Sequence, residues 1–360
     1  MEFIINLIKA AVLNGTPLLF GTSGEILTEK SGNLNLGVEG LMFMGGAFGL
    51  AGAYAYDNAM GDNAVGFVAV MIAIICAFAA GCFGSLIYAF LTITLRANQN
   101  VTGLALTIFG TGVGQFVGEL LRLRADGNVS ISNGLKTAFA GPIFPEVLRN
   151  IPVVGPLLFS YNVFVYLGIV MVVVMGYFMK KTRKGLYLQA VGENPATADS
   201  AGISVTKYRY IATVLGGGIS ALGGMIHTMT IAGCVWNHVA LSGEGWVAVA
   251  LVIFCLWKPL NSLWGSVLFG GLLIMYLRLP IPFIPTQIYK VIPYIVTAIV
   301  LIIVSMRQRK EDQGPAGLGL NFFREEDYIS SVVVFSCGLT FFFFGSIPNG
   351  TFDFSFAFTS

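Results

Sequence analysis

Long apolar runs alternate with short polar breaks along this chain, and the runs exceed what the interior of a water-soluble domain accommodates. A membrane-spanning helix needs about 20 mostly apolar residues. On that rule the pattern predicts helices near 3–27, 36–56, 65–95, 101–120, 162–180, 208–232, 243–258, 262–278 and 287–306. The expectation is an all-α polytopic membrane protein of about nine transmembrane helices, since only helices and closed barrels satisfy their backbone inside lipid.

The breaks carry an orientation. Lys30, Arg96, the Lys180 to Lys184 cluster, Lys258 and the run Arg307 to Lys310 each follow an odd-numbered predicted helix. Lys and Arg accumulate in short cytoplasmic loops. The N-terminus is therefore expected outside and Arg307 to Lys310 inside. Lys9 lies within the first apolar run and no basic stretch precedes it, so that run reads as a retained helix and not as a cleaved leader.

Two segments fit the pattern poorly. The connection 121–161 falls outside in this topology although it carries Arg122, Arg124, Lys136 and Arg149, and its Pro and Gly-Pro turns suggest a segment folded back on the membrane surface or short re-entrant helices. Beyond the transmembrane domain, 1–310, come a cytoplasmic C-terminal segment, 311–327, and a Phe-rich tail, 328–360, to which no role is assigned. The tail could be a tenth span, but a lipid-surface segment or an extension outside the functional unit is preferred, because the preceding helices already close a consistent topology.

Composition sharpens the class. Hydrophobic residues make up 56% of the chain and charged residues 11%, whereas soluble domains are about a quarter charged; a water-soluble enzyme is excluded. The 45 Gly suit helices that approach closely through small residues in lipid. A formal net charge of +2 with basic residues scattered among loops argues against a nucleic-acid partner. Cys76, Cys82, Cys234, Cys255 and Cys337 lie in apolar runs without metal-site spacing and read as small buried hydrophobes.

The longest strongly polar stretch between two apolar runs is KKTRKGLYLQAVGENPATADSAGISVTKYR, Lys180 to Arg209. Within it Asn194 is an N-cap, Pro195 suits the first helical position, and Gly202 suits the position just past the end. The spacing predicts a helix of about two turns, too short to be stable in water unless docked. Lys180, Lys181, Arg183 and Lys184 before it, with Lys207 and Arg209 after it, place both ends at the cytoplasmic surface. This is either a docking element or a polar connector whose Asn-Pro and Gly stop helices.

GENPATADSAGISVTKYRYIA resembles the cytoplasmic coupling loop of permease subunits of ABC importers, in the branched-chain-amino-acid-related branch that includes ribose, galactoside and nucleoside systems. The likeness covers about residues 12–310, including GEILTEKSGNLNLGVEGLMFMGGAFG, GLALTIFGTG and SGEGWVAVALVIFCLWKPLNSLWGSVLFG. The last motif, of the form IF-x-x-W-x-P, resembles the nucleoside-type permeases more closely than the ribose-like ones.

The resemblance implies a transmembrane permease that brings a nucleoside or related sugar-like solute into the cytoplasm, multi-pass in a bacterial cytoplasmic (inner) membrane. Its implied partners are an ABC ATPase subunit, a second permease that is a homologous chain or itself, an extracytoplasmic solute-binding protein and the lipid bilayer. Gly192, Glu193, Asn194, Pro195, Ala196, Ala198, Asp199, Ala201, Gly202 and Ile203 would couple to the ATPase.

No G-x-x-x-x-G-K-[ST] phosphate loop occurs. This chain is accordingly expected to hold no cofactor, with ATP and Mg on partner ATPase subunits, and to carry no catalytic residue and no metal. Candidates for the translocation path are Asn33, Asn35, Glu39, Asn98, Glu244 and Trp246. Each has a competing structural role. The Asn residues and Glu39 would cap helices or anchor loops at the cytoplasmic side, and Trp246, beside Glu244 at the outer end of the seventh predicted helix, would anchor at the interface. His227 reads as a hydrogen-bonded packing residue, with only His238 as a second His. The alternative function is an ion-coupled secondary transporter of a small polar solute, which would place carboxylates or broken helices at the membrane midplane; the predicted spans show no obvious mid-span Asp or Glu.

Overall fold

The computed structural model describes residues 2–125, 129–237, 239, 241–278 and 313–323, with scattered positions between 291 and 306. The chain divides into two compact units, Met1–Asn321 and Phe322–Ser360. The tail 328–360 lies outside the described residues.

Among the described residues the elements are helical: α1 (Glu2–Glu29), α2 (Val38–Met60), α3 (Gly66–Ala89), α4 (Gln99–Arg124), α5 (Asn133–Ala140), α6 (Glu146–Arg149), α7 (Val163–Lys181), α8 (Arg183–Glu193), α9 (Pro195–Ser200), α10 (Val205–Ile226), α11 (Glu244–Phe254) and α12 (Pro259–Arg278). Wider π turns prolong α3 to Thr94 and α10 to Ile231. Among the described residues six helices are long and apolar enough to cross a membrane: Glu2–Glu29, Val38–Asn63, Gly66–Thr94, Gln99–Arg124, Val163–Lys181 and Val205–Ile231.

The expected count of nine spans is thus not reached among the described residues. The predicted span 287–306 falls mostly outside them. The predicted span 243–258 is α11, whose 11 residues reach about 16 Å at about 1.5 Å per residue, roughly half of a ~30 Å hydrocarbon core. The predicted span 262–278 falls within α12, which starts at Pro259 and is described as far as Arg278.

Small residues decide which helices are central. In α10 and α2, 72% of the apolar stretch is buried, against 28% in α4. The Gly216-Gly217-Gly218 and Gly223-Gly224 runs strip side chains from α10, so neighbours meet its backbone directly. A Cβ at Gly24 or Gly216 would strike the other helix, and one at Gly45 or Gly224 would fall on the backbone of Ala221 or Met42. Helix association in lipid depends on such approach, since the hydrophobic effect does not drive it there. The outer faces of α3 and α4 present Phe83, Ile108 and Phe116 instead, all exposed.

The connection 121–161 forms the short helices α5 and α6 and a π turn. Leu135 and Phe139 of α5 are buried. Phe139 stacks on Phe164 at the start of α7, with ring centroids 6.3 Å apart, and Ala138 lies against Gly66 at the start of α3. The segment therefore covers the starts of α3 and α7.

Candidate functional site

Two polar assemblies stand out against this apolar bundle. The first is α8 with α9. Thr182 caps α8 by accepting from Gly185 N at 3.1 Å. At Asn194 the backbone turns extended, and its Oδ1 accepts from Thr197 N at 3.1 Å while Pro195 opens α9. The end is closed by Gly202 at φ +79°, with Gly202 N donating to Asp199 O at 2.9 Å and Ile203 N to Ala198 O at 3.0 Å. That pair of bonds around a left-handed Gly is a Schellman stop.

Only Ala198 of α9 is buried. Glu193, Asn194, Ala196, Ala201 and Gly202 are exposed, Pro195, Asp199 and Ile203 half-buried, and Gly192 buried. The basic flanks Lys180, Lys181, Arg183, Lys184 and Lys207 are exposed. Arg209 is not a surface flank, contrary to expectation: it is 2% exposed. One turn into α10 it points inward, and its Nη1 donates to Leu320 O at 3.1 Å. Burial lowers the pKa of neighbouring Lys30, with the Glu193 carboxylate acting in the opposite sense.

The second assembly starts in the α1–α2 loop. Asn33 Nδ2 donates to Thr213 Oγ1 at 3.0 Å and reaches Thr92 Oγ1 at 3.4 Å. Asn35 N and Nδ2 donate to the two carboxylate oxygens of Glu25 at 3.2 and 3.3 Å, and Asn35 Oδ1 accepts from Gly37 N. Both Asn residues are fully buried. The loop does not lie at an open entrance; it returns into the bundle. Asn98 caps α4 by accepting from Val101 N at 3.1 Å.

Glu39 crosses from α2 to α11. Its Oε1 accepts from Gly243 N at 2.6 Å and its Oε2 from Gly245 N at 2.7 Å. The donors are orphan N–H groups of a helix first turn, and a carboxylate there also meets the positive end of the helix dipole. Gly243 takes φ +93° to present its N–H. From the same turn Glu244 Oε1 stands 2.8 Å from His227 Nδ1, in the π turn that prolongs α10. His227 Nε2 and Glu244 Oε2 are buried with no hydrogen-bond partner among the described residues. Trp246 is 37% exposed.

These contacts correct two expectations. Glu39 and Glu244 were placed at opposite ends of the membrane; the structure brings them together. Thr22 Oγ1 of α1 donates to Ala248 O at 3.1 Å, and the Trp257 indole donates to Glu29. So α11 runs alongside the second half of α1, and its start lies level with the middle of α1. The expected absence of mid-span carboxylates fails for the same reason: both residues begin helices in the sequence, but those helices begin inside the bundle. His227, read from the sequence as a hydrogen-bonded packing residue, is buried there with Glu244 as its neighbour, a pairing that the sequence did not single out.

The IF-x-x-W-x-P motif makes the turn from α11 to α12. Leu256 and Trp257 sit there at φ +55° and +52°, a conformation that non-glycine residues seldom adopt. Among the described residues no group of three or more His, Cys, Asp or Glu could hold a metal ion, and Cys76, Cys82, Cys234 and Cys255 are free. His238 and Cys337 lie outside the described residues.

Residues 7–304 match the family described as branched-chain amino acid transport system / permease component. TsgC13 of Haloferax volcanii, an ABC transporter permease protein provisionally named for glucose, is 35% identical over 77% of this chain and 79% of its own. The guanosine ABC transporter permease protein NupQ of Bacillus subtilis is 32% identical over 84% of this chain and 92% of its own. The nucleoside ABC transporter permease protein NupC of Lactococcus lactis subsp. cremoris is 30% identical over 83% and 93%.

Proposed function

This chain belongs to the branched-chain amino acid transport system / permease component family, and on that premise we propose that it carries a nucleoside or a related sugar-like solute into the cytoplasm of a bacterium. It is a multi-pass permease component of an ABC transporter, a transporter part and not itself a catalyst. Hydrolysis of ATP with Mg takes place on partner ATPase subunits, and an extracytoplasmic binding protein delivers the solute to a pore completed by a second permease. The N-terminus faces outward and α8–α9 inward.

In this reading α9 is the coupling helix. The observation that carries it is a six-residue helix closed at both ends by its own residues yet exposing most of its surface, between basic flanks. Such a helix gains stability by docking, and an ATPase groove is the occupant that family membership suggests. Closure of the ATPase pair would displace Gly192 to Ile203 and reorient the bundle. Glu39, Glu244 and Trp246 would line the path at the start of α11, while Asn33 and Asn35 brace the loop that leads into it and Asn98 caps α4. A half-span helix whose start lies within the bundle is the element at which transporters commonly place a solute.

Purification in mild detergent, identification of the co-purifying chains, and reconstitution with the binding protein test this proposal. An ATPase subunit should accompany the chain, and labelled guanosine should enter vesicles only with ATP, ahead of ribose and glucose. Uptake by the chain alone that collapses with an ionophore would establish the ion-coupled alternative.

A further inference from the structure

Residues 316–321 are fastened across one end of the helix bundle through five of their number. Ala316 N donates to Glu193 Oε2 at 3.2 Å and Gly317 N to Gly192 O at 2.9 Å, both at the α8–α9 junction. Gly319 N donates to Gly32 O at 3.3 Å in the α1–α2 loop. Leu320 O accepts from Arg209 Nη1 of α10 at 3.1 Å. Asn321 Nδ2 donates to Arg96 O at 2.6 Å, beside the start of α4, and Asn321 Oδ1 accepts from Gln99 Nε2 at 3.3 Å.

The bonds do not stop at the surface. Gln99 Oε1 accepts from Leu34 N at 2.7 Å. One residue on, Asn35 holds Glu25 of α1 and the turn at Gly37 that starts α2. A continuous polar chain therefore runs from the end of α8, through residues 316–321 and Gln99, to the loop that leads into Glu39. At Gly192 the packing leaves no slack, since a Cβ there would fall on Lys30 O. By contrast α9 buries Ala198 alone, so it has little direct purchase on the spans.

We propose that residues 316–321 form a crossbar that carries displacement of the α8–α9 element into the α1–α2 loop and the α3–α4 junction, with Asn321 and Gln99 as its positioning residues. This rests on the coupling reading above. The crossbar supplies the rigid connection, because hydrogen-bonded and close-packed contacts transmit a shift that a loose tail would absorb.

The test uses the complete transporter in vesicles, reading guanosine uptake per ATP hydrolysed. Asn321→Ala frees the α3–α4 end. Gly317→Val frees the other, since its Cβ would stand 2.7 Å from Gly192 O. Both variants should keep the ATPase subunit bound and its stimulation by loaded binding protein intact, while uptake per ATP falls about tenfold, as the loss of one or two hydrogen bonds allows. An unchanged ratio in both, or a loss that merely tracks the amount of assembled complex, overturns the crossbar. Pro195→Gly with Gly202→Val separates the two ideas. If that double variant retains stimulated ATPase, the coupling reading fails and the crossbar falls with it; if stimulation is lost while the crossbar variants keep their ratio, the crossbar alone is wrong.

Discussion

α9 and α11 are both short helices whose first turn is closed by a side-chain oxygen, but the source of that oxygen differs. In α9 it is Asn194, three residues from the donor it satisfies, at an exposed position. In α11 it is Glu39, about 200 residues away and buried. A local cap works in water and leaves the helix free to meet another molecule. A remote cap ties two helices of one bundle together where no water could replace it. The same chemistry thus leaves one helix exposed and ties the other into the bundle.

The largest effect is expected at α9, the proposed coupling helix. Pro195→Gly with Gly202→Val removes the pre-set helix start and forces a β-branched residue into the left-handed region. Stimulated ATPase and uptake should fall to background, while membrane insertion and the melting temperature match the wild type because α9 buries so little. Normal uptake would deny α9 its coupling role.

Next is the tie between α2 and α11. Glu39→Gln leaves one N–H of the α11 first turn facing an amide NH₂, at a cost of about 2 kcal/mol for a buried charge-assisted bond. Thermal melting of the purified protein should drop by several degrees, and uptake by about tenfold. An unaltered melt would show that α11 needs no cap from α2.

Asn194→Ala should act more gently, since losing an exposed cap costs about 1 kcal/mol. Uptake should fall about fivefold with no change in melting, in contrast to Glu39→Gln. The smallest effect is expected from Asn98→Ala. That change removes a cap worth about 1 kcal/mol from the long helix α4, so the KM for uptake should stay at the wild-type value. A raised KM would instead place Asn98 in contact with solute.

The membrane class, the apolar helices and the ends of α9 were legible in the sequence, because each depends on neighbours within a few residues. Hydropathy over some 20 residues specifies a span, and Asn194, Pro195 and Gly202 act on their own turn. Asn98 belongs with them. α8 was missed inside the polar loop, its Thr182 cap being the available signal.

Tertiary structure alone decided the rest. Glu39 and Glu244 each open a helix, so their spacing placed them at membrane surfaces; they meet because the loop 30–37 and the chain before α11 return into the bundle. Asn33 finds Thr92 and Thr213, and Arg209 finds Leu320, across separations from about 60 to 180 residues. In a low-dielectric interior a buried polar group left without a partner is costly. Which partner it obtains is set by how the glycine-faced helices pack, and no pattern along a single helix records that.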